Sequence, residues 1–550
     1  MTVVRAGHRW LLVALMLAFA LSGWRLAAVL AAPLPLQVDE AQYAGWSHAL
    51  APGYYSKPPM IAFAIAGAGA LCPWRVERRD AVLDEGCVRM LQPVAMLVAG
   101  LSVAATAAAL GLSAGAAAAA LALFVSAPFA AFYSLFATTD AWLLMWWSLA
   151  LLALVRALRD APASRWPWIA CGACVGFGLL AKYSMGVFVV AAAILAWRRG
   201  LLRSPGPWLA AGVALAVFLP NLWWNAQHGF ATIGHHADIS GVAQAGEHGL
   251  AQRVGSVASF VAAQFGVFSP VVFAVFVLAC WRALRHGVRT VPPGVRIGLL
   301  FAGAMLLLIM AQALSSRAFA NWALPAAIGV SIVAAWWLVD ADAVRVPTPR
   351  RLLLGLTLAF NLVLGALVIH GPAVFAATRW ADDAARNPFL RLQGWREAAL
   401  EVRDQVAAAP GLRVVAEDRR LLAAISAYGW PDVTDLRAWD PGAADDDHYR
   451  RFQDLAQAPA AATTPILLVL EGPRVPGGAQ AAPEPRRLER LEAAFPGLQR
   501  VPDEVAPRVA LVAPGGRRDR RIVLYRADGF APPAARLSAA SDAARATPAR

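Results

Sequence analysis

Residues 138–159 read TTDAWLLMWWSLALLALVRALR, with no charged side chain between Asp140 and Arg156. A helix needs roughly 20 predominantly apolar residues to cross the hydrocarbon of a bilayer. This stretch supplies them, with an acid at one end and arginines at the other. Comparable runs recur from the N-terminus to near residue 370. They place spans at 10–32, 88–110, 112–130, 138–158, 166–182, 184–199, 207–224, 256–281, 297–314, 320–339 and 351–370.

Composition agrees. The 550 residues are 59% hydrophobic and only 15% charged, against about 25% charge in an ordinary soluble chain. The formal net charge of +14 does not point to nucleic acid, because the arginines are scattered between apolar segments and through the tail. They carry topology instead. Arg5 and Arg9 precede the first span, and Arg156, Arg159 and Arg165 fall in one later loop. Arg198, Arg199 and Arg203, then Arg282, Arg285, Arg289 and Arg296, then Arg345, Arg350 and Arg351 occupy three more. Eleven spans put all these groups on one side, the cytoplasmic one by the positive-inside rule. The N-terminus is then cytoplasmic, its first span an uncleaved anchor. The loops 33–87 and 225–255 and the tail face the periplasm of a multi-pass inner-membrane protein.

Beyond residue 371 the pattern changes. Arg413–Asp418, Pro465–Leu470, Arg508–Val512 and Arg521–Tyr525 read as short strands, and 394–408, 419–428 and 484–494 as helices. This alternation predicts a small α/β domain. The expected organisation is a mostly α membrane domain over 1–370, a soluble α/β extracytoplasmic domain over 371–530, and an Ala-, Pro- and Arg-rich disordered tail over 531–550.

The first outer loop holds the densest chemistry. It reads Val38-Asp39-Glu40-Ala41-Gln42-Tyr43, then Gly53-Tyr54-Tyr55-Ser56-Lys57-Pro58-Pro59. A short helix near 40–50 would put Asp39 and Tyr43 on one face. Pro58 and Pro59 suit the start of a following helix, next to which Lys57 and backbone donors favour an anion. Lys57 and Lys182 are the only lysines in the chain, and an arginine-biased sequence that keeps two lysines directs interest to both. Lys182, in Ala181-Lys182-Tyr183, falls on the same outer side, as does Asp140. Taken singly, each is readable as structural: a capping acid, a loop lysine, an interfacial lysine. Together, two acids and two ammonium groups on one face describe a site for an anionic substrate. Further along that side lie Pro220-Asn221-Leu222-Trp223-Trp224-Asn225-Ala226-Gln227-His228, then His235 and His236, then Arg317 and Asn321. Trp223 and Trp224 fit an interfacial belt, Asn225 and His228 fit substrate contacts, and Arg317 fits a phosphate contact. No zinc-ligand spacing, Walker loop or dinucleotide loop is present. Cys72 and Cys87 share the outer loop, where an oxidising compartment predicts a disulfide. Cys171 and Cys174, within a span, read as packing.

These motifs resemble the membrane glycosyltransferases of family 39 and its relatives, which include the protein O-mannosyltransferases and the lipid A aminoarabinose transferases of family 83. The resemblance rests on Asp39-Glu40-Ala41-Gln42-Tyr43 and Gly53-Tyr54-Tyr55-Ser56-Lys57-Pro58-Pro59. Thr139-Asp140, Ala181-Lys182-Tyr183 and Pro220-Asn221…Asn225…His228 follow in order, covering about 1–370. It implies a GT-C fold, a polyprenyl-phosphate sugar as donor, and inverting transfer to an envelope acceptor: lipid A or its core, a glycan, or a protein hydroxyl. It implies Asp39, with Asp140, as catalytic carboxylates. Lys57 and Lys182 are implied as donor-phosphate contacts, and Glu40, Tyr43, Tyr55, Asn225, His228 and Arg317 as further substrate contacts. The aminoarabinose transferases carry a metal-associated acid before Lys-Pro-Pro. Ser56 stands there in this chain, a departure that bears on both that metal and that sugar; no cofactor is required, with a divalent metal as the open alternative. The chemistry is consistent with this: an acceptor hydroxyl needs a base, and a departing lipid phosphate needs positive charge. The rival classes are a flippase or transporter of lipid-linked sugars, against which stand the absence of internal repeats and of mid-span acids, and a non-catalytic envelope assembly protein.

Overall fold

A computed structural model describes residues 2–31, 34–72, 83–160, 164–240, 249–316, 318–341, 348–383, 385–439, 447–458, 463–473, 485–502, 510–512 and 519–531. The chain forms two compact units. The first comprises Met1–Pro33, Leu50–Leu71 and Gly86–Gly371, and the second Leu34–Ala49, Cys72–Glu85 and Pro372–Arg550. The outer loop 33–87 is thus divided between them. Most of the 531–550 tail lies outside the described residues.

The first unit is helical. By length and composition, six of its helices suffice to cross a membrane: Gly7–Ala31, Glu85–Ala109, Thr139–Arg159, Pro205–Gln227, Pro293–Ser315 and Thr348–Ile369. The pair Ala114–Ser126 and Pro128–Leu135, bent by 51° where Pro128 removes a backbone donor, brings the count among the described residues to seven if it is taken as one span. The eleven-span count therefore exceeds what helix length alone supports. Trp166–Ala181, Tyr183–Arg198 and Ala326–Asp340 are apolar but shorter, and Met60–Ala70 is an apolar helix inside the predicted outer loop. The expected span 256–281 is not continuous. It divides into Leu250–Phe268 and Pro270–His286, because Ser269 takes φ +78° ahead of a proline that disfavours helix in its predecessor.

Small residues set the packing of this unit. The Ala-rich helix Ala114–Ser126 is buried from Ala116 onward, and Ser113 caps it by accepting from the Ala116 amide at 3.1 Å. A Cβ on Gly329 would lie 2.3 Å from the Gly298 carbonyl oxygen. The helices bearing them approach to a distance that only a glycine permits, as is common in membrane interiors. Cys171 and Cys174 are free thiols, in keeping with a packing role, whereas Cys72 and Cys87 are disulfide-bonded as expected.

The second unit is built on a sheet whose strands are β1 (Arg413–Ala416), β2 (Leu436–Ala438), β3 (Ile466–Pro473), β4 (Gln499–Arg500), β5 (Ala510–Val512) and β6 (Asp519–Ala527). Their order is β2-β1-β3-β6-β4, with β5 also paired to β6. β1 runs parallel to β2 and β3, while β6 is antiparallel to β3. The four predicted strands correspond to β1, β3, β5 and β6. The short β2 and β4 carry too few residues for a pattern. Ile466–Leu470 is buried throughout, as a central strand covered on both faces must be. Helices Trp395–Ala408, Arg419–Tyr428 and Pro485–Ala494 occupy the predicted positions.

Candidate functional site

In the first unit the motif residues gather around the segment Pro52–Pro59. The Tyr54 amide donates to the Lys57 carbonyl at 3.2 Å, closing the turn that carries Lys57 ahead of helix Met60–Ala70. Two side chains hold this turn: Thr232 Oγ1 donates to the Tyr54 carbonyl and Asn221 Nδ2 to the Pro52 carbonyl, both at 2.7 Å. Gly53 is small because Trp224 covers it, and a Cβ there would meet Trp224 Cε3 at 2.5 Å. Trp224 therefore serves the loop, while Trp223, 66% exposed, keeps the belt role expected of both.

Tyr183 donates to Asn221 Oδ1 at 2.8 Å and accepts from Asn225 Nδ2 at 3.0 Å. Its ring lies 5.6 Å from that of His236, and the Tyr55 ring lies 4.7 Å from His235. Burial, then the charge of Lys57, then His235 and Lys182, push the His236 imidazole down to about 3. His236 is thus a neutral ring under the field of both lysines, and its Nε2 has no hydrogen-bond partner among the described residues. Lys182 Nζ pairs with Asp140 Oδ1 at 2.8 Å, with side-chain exposures of 12% and 8%. Of the sequence candidates, Lys57, Lys182, Asp140, Tyr55 and Asn225 fall in this neighbourhood. His228 stacks on Trp224 at 4.1 Å, with Nδ1 2.8 Å from the Trp224 carbonyl. Arg317 lies outside the described residues.

In the second unit, helix Val38–Ser47 opens with a capping box. The Gln37 amide donates to Glu40 Oε2 at 3.1 Å, and Glu40 is wholly buried. Its capping bond and burial show Glu40 acting at the helix terminus. Tyr43 is also buried, against Trp46. Asp39, one residue earlier, is half-exposed and accepts from Arg419 Nη2 at 2.6 Å. Arg419 also donates to Gln42 Oε1 through Nε at 2.9 Å and Nη2 at 2.7 Å. Two features bring Arg419 there. Asp418 caps the helix Arg419–Tyr428, and that helix crosses Val38–Ser47 so closely that a Cβ on Gly45 would fall 2.1 Å from Ser426 Oγ. The Leu36 amide donates to Tyr428 Oη at 3.0 Å, and Tyr428 donates to Glu85 Oε1 at 3.2 Å, fixing the entry to the Asp39 helix. Burial and the Arg419 charge hold His448 down at about 3, and its ring packs edge-on to Trp46 at 5.2 Å. Arg419 was not legible as a site residue in the sequence. Its only local signal is the capping acid before it.

Among the described residues no three His, Cys, Asp or Glu side chains are grouped to hold a metal ion.

The sequence of residues 56–224 matches the dolichyl-phosphate-mannose-protein mannosyltransferase family. Over 440 residues the chain is 30% identical to the lipid A galacturonosyltransferase RgtD of Rhizobium johnstonii, spanning 79% of this chain and 86% of that protein. Its architecture is similar to that of ArnT from Cupriavidus metallidurans bound to undecaprenyl phosphate. The TM-score is 0.57 at 17% identity, covering 94% of this chain and 98% of that one. The apo state of ArnT gives 0.54 at 16% identity, with the same coverage.

Proposed function

Because the chain belongs to the GT-C membrane glycosyltransferases, the family of the protein mannosyltransferases and lipid A glycosyltransferases, we propose that it transfers a sugar from a polyprenyl-phosphate carrier to a hydroxyl of lipid A or its core. The chain is a glycosyltransferase and a multi-pass membrane protein. The acceptor, and the periplasmic face of the inner membrane as the place of reaction, are our reading.

The observation that carries the donor assignment is that the charges of Lys57 and Lys182 both act on the buried His236, beside the hydrogen-bonded turn that carries Lys57. Two ammonium groups and an imidazole nitrogen without a partner suit a phosphate. In the reaction, the bond between the sugar's anomeric carbon and the phosphate oxygen breaks and its electron pair stays on phosphate. The acceptor oxygen bonds that carbon from the opposite side, and its proton passes to Asp39. The product phosphate gains negative charge, which the lysines stabilise more strongly than they do the starting diester. The likeness to a lipid A galacturonosyltransferase favours lipid A over a protein hydroxyl. The arginine-rich loops favour a cytoplasmic residue 290 and an extracytoplasmic residue 400.

The test is reconstitution of the full chain in proteoliposomes with a radiolabelled polyprenyl-phosphate sugar and lipid A. Label should move to lipid A with release of polyprenyl phosphate. Lys57→Ala should raise the donor KM by about one to two orders of magnitude, since charge-assisted contacts contribute roughly 1.5–3 kcal/mol. Passage of the intact donor across the bilayer without transfer would instead establish a flippase.

A further inference from the structure

The pair formed by Asp39 and Arg419 has a geometry that an ordinary surface ion pair lacks. The guanidinium is anchored first on Gln42: Nε and Nη2 both point at Gln42 Oε1, at 2.9 and 2.7 Å, and Gln42 is only 1% exposed. A planar fork held at two nitrogens has no remaining rotation. Nη2 then reaches Asp39 Oδ1 at 2.6 Å. Oδ2 accepts no side-chain hydrogen bond among the described residues, and the Asp39 side chain is 48% exposed. One carboxylate oxygen is pinned and the other is open.

We propose that Arg419 is the positioning residue for Asp39, holding Oδ1 so that Oδ2 faces the acceptor hydroxyl. This rests on the reading of Asp39 as the base. The guanidinium fixes the direction of the accepting lone pair, and a misplacement of about 1 Å can lower turnover on the order of a hundredfold. The other groups acting on Arg419 or facing it are Tyr43 on the Asp39 helix, and His448 and Tyr449 on the helix His448–Phe452. Neighbouring Arg420 is occupied by Asp418 and Glu471, at 2.9 and 3.4 Å. With Arg420 so engaged, Arg419 is the cation in contact with Asp39.

The experiment compares Arg419→Ala, Arg419→Lys and Asp39→Asn in the full-length reconstituted enzyme, measuring kcat, donor KM and apparent thermal stability. Arg419→Ala should lower kcat by about 10- to 100-fold with donor KM unchanged. Free guanidinium should restore part of the rate. Arg419→Lys keeps the charge and loses the fork, so it should recover only part of kcat. Should guanidinium restore none of the rate, or Arg419→Ala lose activity only in step with thermal stability, the residue is merely structural and the proposal fails. Near-normal turnover in Asp39→Asn would overturn the base assignment, and this proposal with it. An inactive Asp39→Asn beside an Arg419→Ala of wild-type rate overturns the positioning role alone.

Discussion

Among the described residues, two ion pairs engage an acid of the sequence motifs, and they differ in nearly every physical respect. Asp140 and Lys182 lie in the helical unit, 2.8 Å apart and 8% and 12% exposed. Asp39 and Arg419 lie in the sheet-bearing unit, 2.6 Å apart and 48% and 38% exposed. A buried pair is costly to break, because the surviving partner becomes an uncompensated charge in a poor solvent. An exposed pair contributes only about 0–1 kcal/mol to stability. The first pair therefore binds Asp140 and Lys182 into the fold whatever else they do. The second contributes little to stability, which leaves its geometry free for the role proposed for Asp39.

The largest effect should come from the exposed pair. Asp39→Asn removes the proposed proton acceptor while preserving shape, and turnover should fall by about 10²- to 10⁴-fold, the range usual for general acid–base groups. Donor KM and yield of folded protein should stay close to wild type. Initial rates at saturating donor decide this; turnover within a few-fold of wild type would remove Asp39 from the chemistry and erase the contrast.

The buried pair should show the opposite signature. Asp140→Ala or Lys182→Ala should destabilise the protein by about 3–5 kcal/mol, seen as a lower unfolding temperature in detergent before any kinetic assay. Replacing both by apolar residues of similar volume should recover most of that loss without restoring donor binding, since the phosphate site would lack one ammonium. If the double replacement stays as unstable as the singles, the pair contributes more than mutual neutralisation.

A smaller effect, common to both regions, comes from two buried histidines. His236 and His448 each sit at about 3, below the ordinary value near 6.5. A depressed folded value means that the unfolded chain binds the proton more readily. Stability from these groups is complete above about pH 6.5 and is lost as pH falls toward the folded value. Thermal unfolding measured between pH 7.5 and 5 should therefore show a decline. The decline should shrink in a protein carrying His236→Gln and His448→Gln.

Much of this contrast was legible in the sequence, and the part that was not has a definite reason. Local motifs single out Asp39, Asp140, Lys57 and Lys182 as candidates, and the alternation of helical and strand segments places the helix 419–428 where the structure has it. What could not be read was pairing. Arg419 meets Asp39 across 380 positions, through a helix crossing that depends on Gly45 lying against Ser426, and no periodicity encodes that. Asp140 and Lys182 were placed on one side of the membrane, and their pairing across 42 positions is likewise something the sequence did not show. The break at Ser269 was missed for a different reason. Hydropathy sums over a window are blind to backbone geometry, and the signal was Pro270 itself.

The smallest expected effect is the one that ties the comparison together. Arg419→Ala should shift the unfolding free energy by no more than about 1 kcal/mol, because water solvates what remains of a half-exposed pair. Two terms oppose this. The substitution frees Gln42 Oε1, which is buried, and an unsatisfied buried oxygen costs about 1–3 kcal/mol. It also empties the space between helices Val38–Ser47 and Arg419–Tyr428. Water entering beside the exposed Asp39 can satisfy the oxygen, since the site is polar and open on that side. Gln42→Ala in the Arg419→Ala background removes the oxygen altogether. If the double variant is no less stable than the single, the Gln42 bond serves orientation. If Arg419→Ala alone costs as much as Asp140→Ala, the exposed pair is a structural element after all, and the distinction between the two pairs collapses.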